Sequence, residues 1–137
     1  MDWDEYWAEG GRDEESMRAA AGENVNRLER FHDTPPSSLA SVGCGTGELP
    51  IVYAERHPDA AVVGYDASST AVERARTAAD RRGVEVTFAE AALPAFDPDR
   101  TFESVICLST LHYVADGERA LAAMFDAVEP GGHLVFS

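Results

Sequence analysis

From residue 39 to residue 137 the sequence alternates between two kinds of segment. Short apolar runs, LASVG (39–43), AAVVGYD (60–66), VEVTFAE (84–90), SVICLS (104–109) and GGHLVFS (131–137), read as strands. Between them, ELPIVYAERH (48–57), the stretch from Ser69 to Arg82 and DGERALAAMFDAVEP (116–130) carry helical patterning. Leu121, Met124, Phe125 and Val128 are expected on one side of the last helix. Strands that alternate with helices pair in parallel, because each crossover helix returns the chain to the same end of the sheet. Apolar strands further require helices on both faces. Ligands in such sheets bind at the carboxyl ends of the strands, where strand order reverses.

Local punctuation agrees with this division. Ser68 or Ser69 caps the third of the four predicted helices and Gly83 ends it. Pro50 falls in a first helical turn, where its missing N–H costs nothing. Upstream, residues 12–32 are rich in helix formers, with Met17, Ala20, Ala21, Val25 and Leu28 near helical spacing. The prolines of DTPPSS break that helix. The expected division is an N-terminal helical segment or lid, 1–36, and a ligand-binding domain, 37–137.

The stretch LASVGCGTGELP follows the first strand and places Gly43, Gly45 and Gly47 at alternate positions. Bare backbone lets a ligand lie across the turn, and the next helix aims free N–H groups at it. A P-loop is excluded because its phosphate-binding lysine is missing. A dinucleotide fingerprint fails because Glu48 stands where the third glycine belongs. Asp66 ends the second strand. Its carboxylate reads either as a helix-capping acid or as an acceptor for the two hydroxyls of a ribose, and coupling to the glycine turn favours the ribose.

Five stretches in order, LASVGCGTGELP, VVGYDASSTAVERAR, FAEAALPAF, FESVICLSTLHYV and VEPGGHLVFS, resemble the successive motifs of the class I S-adenosylmethionine-dependent methyltransferases. The resemblance covers about residues 37–137. It implies a Rossmann-like three-layer α/β/α sandwich with about five strands in the order 3-2-1-4-5, lacking the usual carboxyl-terminal hairpin. It implies S-adenosyl-L-methionine as cofactor. Gly43, Cys44, Gly45 and Gly47 would form the floor under the methionine and ribose, with Ser41 two positions before the first glycine. Asp66 would hold the ribose and Ala67 would pack on the adenine. Glu90, Ala91 or Ala92 would cover the adenine edge, and Leu108 and Ser109 would end strand four near the methionine. His112 and Tyr113 would face the substrate. His112 is the candidate general base, against a plain packing role at a strand end. EPGGH (129–133) resembles the turn into strand five.

Three departures from the family pattern stand out. Ser41 occupies the position of an acid that in the family orients the cofactor's amine, so either cofactor affinity is reduced or Glu48 or an N-terminal acid compensates. The acid after strand three aligns at Ala89 or Glu90. The chain ends within strand five, leaving an apolar edge that invites a second copy or a partner chain. Trp3, Tyr6 and Trp7 read either as a lid or as an anchor for the first helix, and Arg12 and Arg18 either as partners for a carboxylate or simply as partners of surface acids.

Charge narrows the partners. The net charge is −14 and lysine is absent, so a nonspecific nucleic-acid binder, which needs a basic stripe, is excluded. No apolar run is long enough to span a membrane, and the acidic N-terminus does not resemble a signal peptide; a cytoplasmic protein is expected. The acids are scattered, as on proteins adapted to high salt. Cys44 and Cys107 form no metal set with the four histidines and read as reduced, buried thiols. The expected activity is methyl transfer to a small molecule. The alternative is a cofactor-binding or scaffold protein with little or no catalysis, or half of a split enzyme.

Overall fold

The computed structural model describes residues 1–10 and 13–137. Arg12 and the predicted start of the first long helix lie outside the described residues. The chain runs α1 (Trp3–Ala8), α2 (Glu14–Phe31), β1 (Ser38–Val42), α3 (Glu48–Arg56), β2 (Ala61–Asp66), α4 (Ser69–Arg82) and β3 (Thr87–Glu90). It continues through β4 (Phe102–Cys107), a 3-10 turn (Leu111–Tyr113), α5 (Gly117–Asp126) and β5 (Val128–Phe136). Side chains set the boundaries. Asp13, Ser68 and Asp116 each accept a backbone N–H from three residues ahead, which caps α2, α4 and α5. Gly83 closes α4 in the left-handed conformation, at φ 66°.

The five strands form one parallel sheet in the order β3-β2-β1-β4-β5. That is the expected Rossmann-like order, with its reversal between β1 and β4. In the centre, Ala40 lies opposite Val63 on one side and Val105 on the other. Alternate residues serve opposite faces. Leu39 and Ile106 pack with Val25 and Leu28 of α2 and with Val52 and Tyr53 of α3. Ala40, Val42, Val105 and Cys107 pack with Met124 of α5 and Phe96. A third cluster joins Ile51 of α3 to Val72, Ala75 and Ala79 of α4 and Phe88 of β3. Most of these side chains are fully buried, and each large aliphatic contributes about 1.5–3 kcal/mol of burial.

The structure corrects several sequence boundaries. Strand four was expected at 104–109 but spans Phe102–Cys107. Its partner β1 turns away into the glycine loop after Val42, so Leu108 and Ser109 have no ladder to join. The fifth strand begins at Val128, because Val128 pairs with Phe102 before the register jumps to His133 opposite Ser104. The EPGG segment is therefore a bulge inside β5. There Gly132 passes so close that a Cβ would lie 2.5 Å from the Glu103 carbonyl oxygen. Phe125 does not join the packed side of α5; it is 68% exposed, whereas Ala120 and Met124, one turn apart, are buried. Helix α1 was not anticipated; Asp2 caps it by accepting the Glu5 N–H. No described helix is long and apolar enough to cross a membrane.

Candidate functional site

At the sheet's reversal point, three strands end around one cavity of about 540 Å³. The loop Gly43–Gly47 leaves β1, Asp66 terminates β2, and Leu108–Thr110 follow β4. Gly45 and Gly47 both sit at positive φ, 56° and 82°, where a Cβ is strained. Gly47 also faces inward, so a Cβ there would meet the Phe88 ring at 2.7 Å and Ala75 at 2.9 Å. A Cβ on Gly45 would meet the Trp7 ring at 2.8 Å, and one on Gly43 would meet Thr110 at 2.5 Å. The turn is thus bare on two accounts, its backbone conformation and the groups laid against it.

Asp66 ties the loop to β2. One carboxylate oxygen accepts the Gly45 N–H at 2.8 Å and the other accepts the Ser68 N–H at 2.9 Å. The residue is 9% exposed. Burial pushes its carboxyl above the usual range, against the lowering effect of the two N–H bonds. A carboxylate oxygen has two lone pairs, so each still has one left for a hydroxyl donor. The Ala91 N–H reaches the Asp66 carbonyl at 2.9 Å and so ties the loop after β3 to the same point.

Helix α1 covers the cavity, held there by Asp4. Its carboxylate accepts from the Ser68 hydroxyl at 2.6 Å and from the Thr70 N–H at 3.1 Å, at the N-terminus of α4. The Ser68 hydroxyl and that backbone N–H hold the exposed Asp4 carboxyl below its ordinary value. Trp7 lies against Gly45, and Trp3 and Tyr6 line the same cavity. All three aromatics thus sit over the cavity, and Arg18 reaches Glu55 at 3.8 Å on the surface.

The cavity brings together Gly43, Cys44, Gly45, Asp66, Ala67, Ala91, Leu108, Ser109, His112 and Tyr113 of the sequence-derived candidates. Four others lie elsewhere, Ala92 among them, which is exposed beside Ala91. Gly47 packs against Phe88 behind the loop. Glu90 is exposed at the end of β3 and does not line the cavity, whereas Ala91 and Leu93 do. Ser41 is buried between Gly64 and Ile106 and lines a smaller adjoining hollow of about 160 Å³. That hollow also holds Glu48 and the Thr46 hydroxyl, whose oxygen has no partner among the described residues. Glu48 is engaged with Arg82 at 3.0 Å, and Arg82 also contacts Glu55. Burial raises the Glu48 carboxyl while Arg82 lowers it. A carboxylate already paired with an arginine supplies little free charge to replace the acid missing at Ser41.

One residue escaped the sequence reading. Thr110 donates to the Leu108 carbonyl at 3.1 Å and braces Gly43. Ser109 is the described non-glycine residue at positive φ, 57°, and its N–H bonds the Ser137 hydroxyl at 3.1 Å. No motif announced Thr110, whereas Ser109 was expected at this end of strand four and only its left-handed backbone was not. Burial pushes the Cys44 thiol well up and that of Cys107 to about 11, so both are held as thiols rather than thiolates. Among the described residues no cluster of histidine, cysteine or acid is arranged to hold a metal.

A model of a methyltransferase domain matches residues 40–132. A demethylmenaquinone methyltransferase of Thermus thermophilus is 39% identical over 101 residues, which is 73% of this chain and 46% of the relative. A trans-aconitate 2-methyltransferase of Streptomyces coelicolor is 33% identical over 78% of this chain and 37% of its own length. The chain thus spans less than half the length of either relative. The crystal structure of magnesium protoporphyrin IX methyltransferase from Synechocystis, with S-adenosylhomocysteine bound, superposes with a TM-score of 0.69. At 23% identity, over 82% of this chain and 52% of that one, the likeness concerns the fold.

Proposed function

This chain belongs to the methyltransferase domain family, and from that premise we propose that its cavity binds S-adenosylmethionine and presents the methyl group to a small-molecule acceptor. The observation that carries the reading is Asp66. It is a buried carboxylate at the end of β2, next to the strand where the order reverses, bonded to the glycine loop, with a lone pair spare on each oxygen. The surroundings fit the cofactor. Gly43 and Gly45 line the cavity with bare backbone beside the Asp66 carboxylate, and the adjoining hollow holds the unpartnered Thr46 hydroxyl.

In this reading Asp66 accepts from the ribose hydroxyls, Ala67 and Ala91 flank the adenine, and the Gly43–Gly45 backbone lies beneath the methionine side. The bound cofactor supplies a methyl group already activated on a sulfonium. The protein's part is alignment and exclusion of water, which the α1 aromatics serve by covering the cavity. His112, in the 3-10 turn at the cavity wall, takes the proton of an acceptor that arrives protonated. Within the N-terminal segment 1–36, α1 acts as the lid of domain 37–137, while α2 packs into that domain's core.

A second reading, cofactor binding without turnover, is favoured by one observation. Ser41 carries no charge, and the nearby Glu48 is engaged with Arg82. Calorimetric titration with S-adenosylhomocysteine tests the first claim. Asp66→Asn should weaken binding about tenfold or more while circular dichroism stays native, because a lost carboxylate acceptor leaves ribose hydroxyls unpaired. Unchanged affinity in Asp66→Asn overturns the assignment of the site. Binding with no turnover across an acceptor panel selects the second reading.

A further inference from the structure

The mouth of the cavity has a property that cofactor binding does not use. Five rings run in an unbroken series from α1 to the turn after β4. Trp7 lies 4.9 Å from Tyr6, Tyr6 lies 5.8 Å from Trp3, and Trp3 lies 5.0 Å from Tyr113, all near-perpendicular, while Tyr113 lies 4.0 Å from His112. All five line the cavity. Tyr113 is nonetheless 54% exposed. Trp3 and Tyr6 are partly exposed beside it, and a run of large aromatics left partly open along one cavity wall marks a contact surface for a ligand.

The charge of the lining restricts that ligand. No arginine lines the cavity among the described residues, and the chain has no lysine. A polycarboxylate would enter a protein of net charge −14 with a single histidine, His112, as the described lining side chain able to carry positive charge. A fixed cation is attracted by aromatic faces, but it needs a neutralising partner once desolvated. Asp66 is the carboxylate that lines the cavity, and the lone pair left on each of its oxygens is the one the ribose hydroxyls take in the reading above.

From these observations we infer that the outer half of the cavity, walled by Trp3, Tyr6 and Tyr113, recognises a planar, uncharged aromatic acceptor. The inference rests on the methyl-transfer reading for the word acceptor, but not for the recognition itself. Rings meet such a ligand by stacking or edge contact, and neither sign of charge is required.

The test is calorimetric titration of the full chain with indole, cyclooctanol, tricarballylate and tetramethylammonium, each with and without saturating S-adenosylhomocysteine. Indole should bind more tightly than the other three. Trp3→Leu and Tyr113→Leu, with native circular dichroism, should each weaken indole about fivefold, and Tyr113→Phe should retain its affinity, since the ring rather than the hydroxyl makes the contact. The inference is overturned if indole does not bind, if any of the other three probes binds as well, or if the leucine variants bind indole as the parent does. Failure of S-adenosylhomocysteine to bind would count against the cofactor reading alone, because the indole titration without it still decides the recognition claim.

Discussion

Replacing Gly47 with alanine separates two reasons for a glycine in the loop. Gly47 has φ 82°, where an L side chain costs about 1–2 kcal/mol. The new methyl would also lie 2.7 Å from the Phe88 ring and 2.9 Å from the Ala75 Cβ. Neither neighbour can yield easily, since both belong to the buried cluster between α4 and β3. Overpacking of that kind costs about 1–3 kcal/mol. The stiffer unfolded chain returns about 0.4–1 kcal/mol, so Gly47→Ala should lose about 2–4 kcal/mol. Gly131→Ala is the control. Its φ is 83° but nothing lies within 4 Å of the added methyl, so it should lose only about 1 kcal/mol from strain. Urea unfolding followed by circular dichroism gives both values from the midpoints at a common slope. Trimming the neighbour with Phe88→Leu should recover part of the Gly47→Ala loss beyond additivity. Equal destabilisation of the two alanine variants would refute the packing argument and leave backbone strain as the whole cause.

Two further outcomes concern charge. Asp4 and Glu103 are both held below the ordinary carboxylate range, by the Ser68 hydroxyl and by the Ser37 N–H respectively. Their contribution is present above that range and is lost as pH falls through the lowered values. Both tryptophans lie on α1, so their emission reports whether it is docked. Acid titration should shift the emission of the parent, while Asp4→Asn should show the shifted emission at neutral pH and no acid step; superimposable titrations would dismiss the Asp4 latch. The net charge of −14 repels itself in dilute buffer, and the screening length falls to about 3 Å at molar salt. The melting temperature should therefore rise with sodium chloride, and a flat or falling dependence would contradict an adaptation to high salt.

The parts of the site that were legible in the sequence are those governed by neighbours along the chain. Ser68 caps the helix that begins beside it, and its oxygen accepts the Ala71 N–H three residues on. Gly83 could be named as a helix end from its type and place alone. Asp66 could be singled out because strand end, glycine turn and spacing together leave few roles. Glu48 was different. It looked like a spare charge near the cofactor until the fold brought up Arg82, 34 residues away. Likewise Glu90 closes a strand in the expected place, yet its side chain is exposed and the cavity wall falls to Ala91 and Leu93. One residue's shift along a strand exchanges its two faces, and the apolar pattern of VEVTFAE does not extend past Glu90 to settle it.

Alternation of strand and helix, with caps and breakers between, determined the parallel sheet, its order through the family resemblance, and the edge at which a ligand sits. Those signals act over one helical turn or one strand pair, so they can be read without coordinates. Only the tertiary structure decided what covers that edge. Asp4 reaches Ser68 across 64 residues and lays Trp7 on Gly45, and Thr110 braces Gly43 from 67 residues away. No periodicity encodes such contacts, because they depend on where complete elements come to rest after the core has packed.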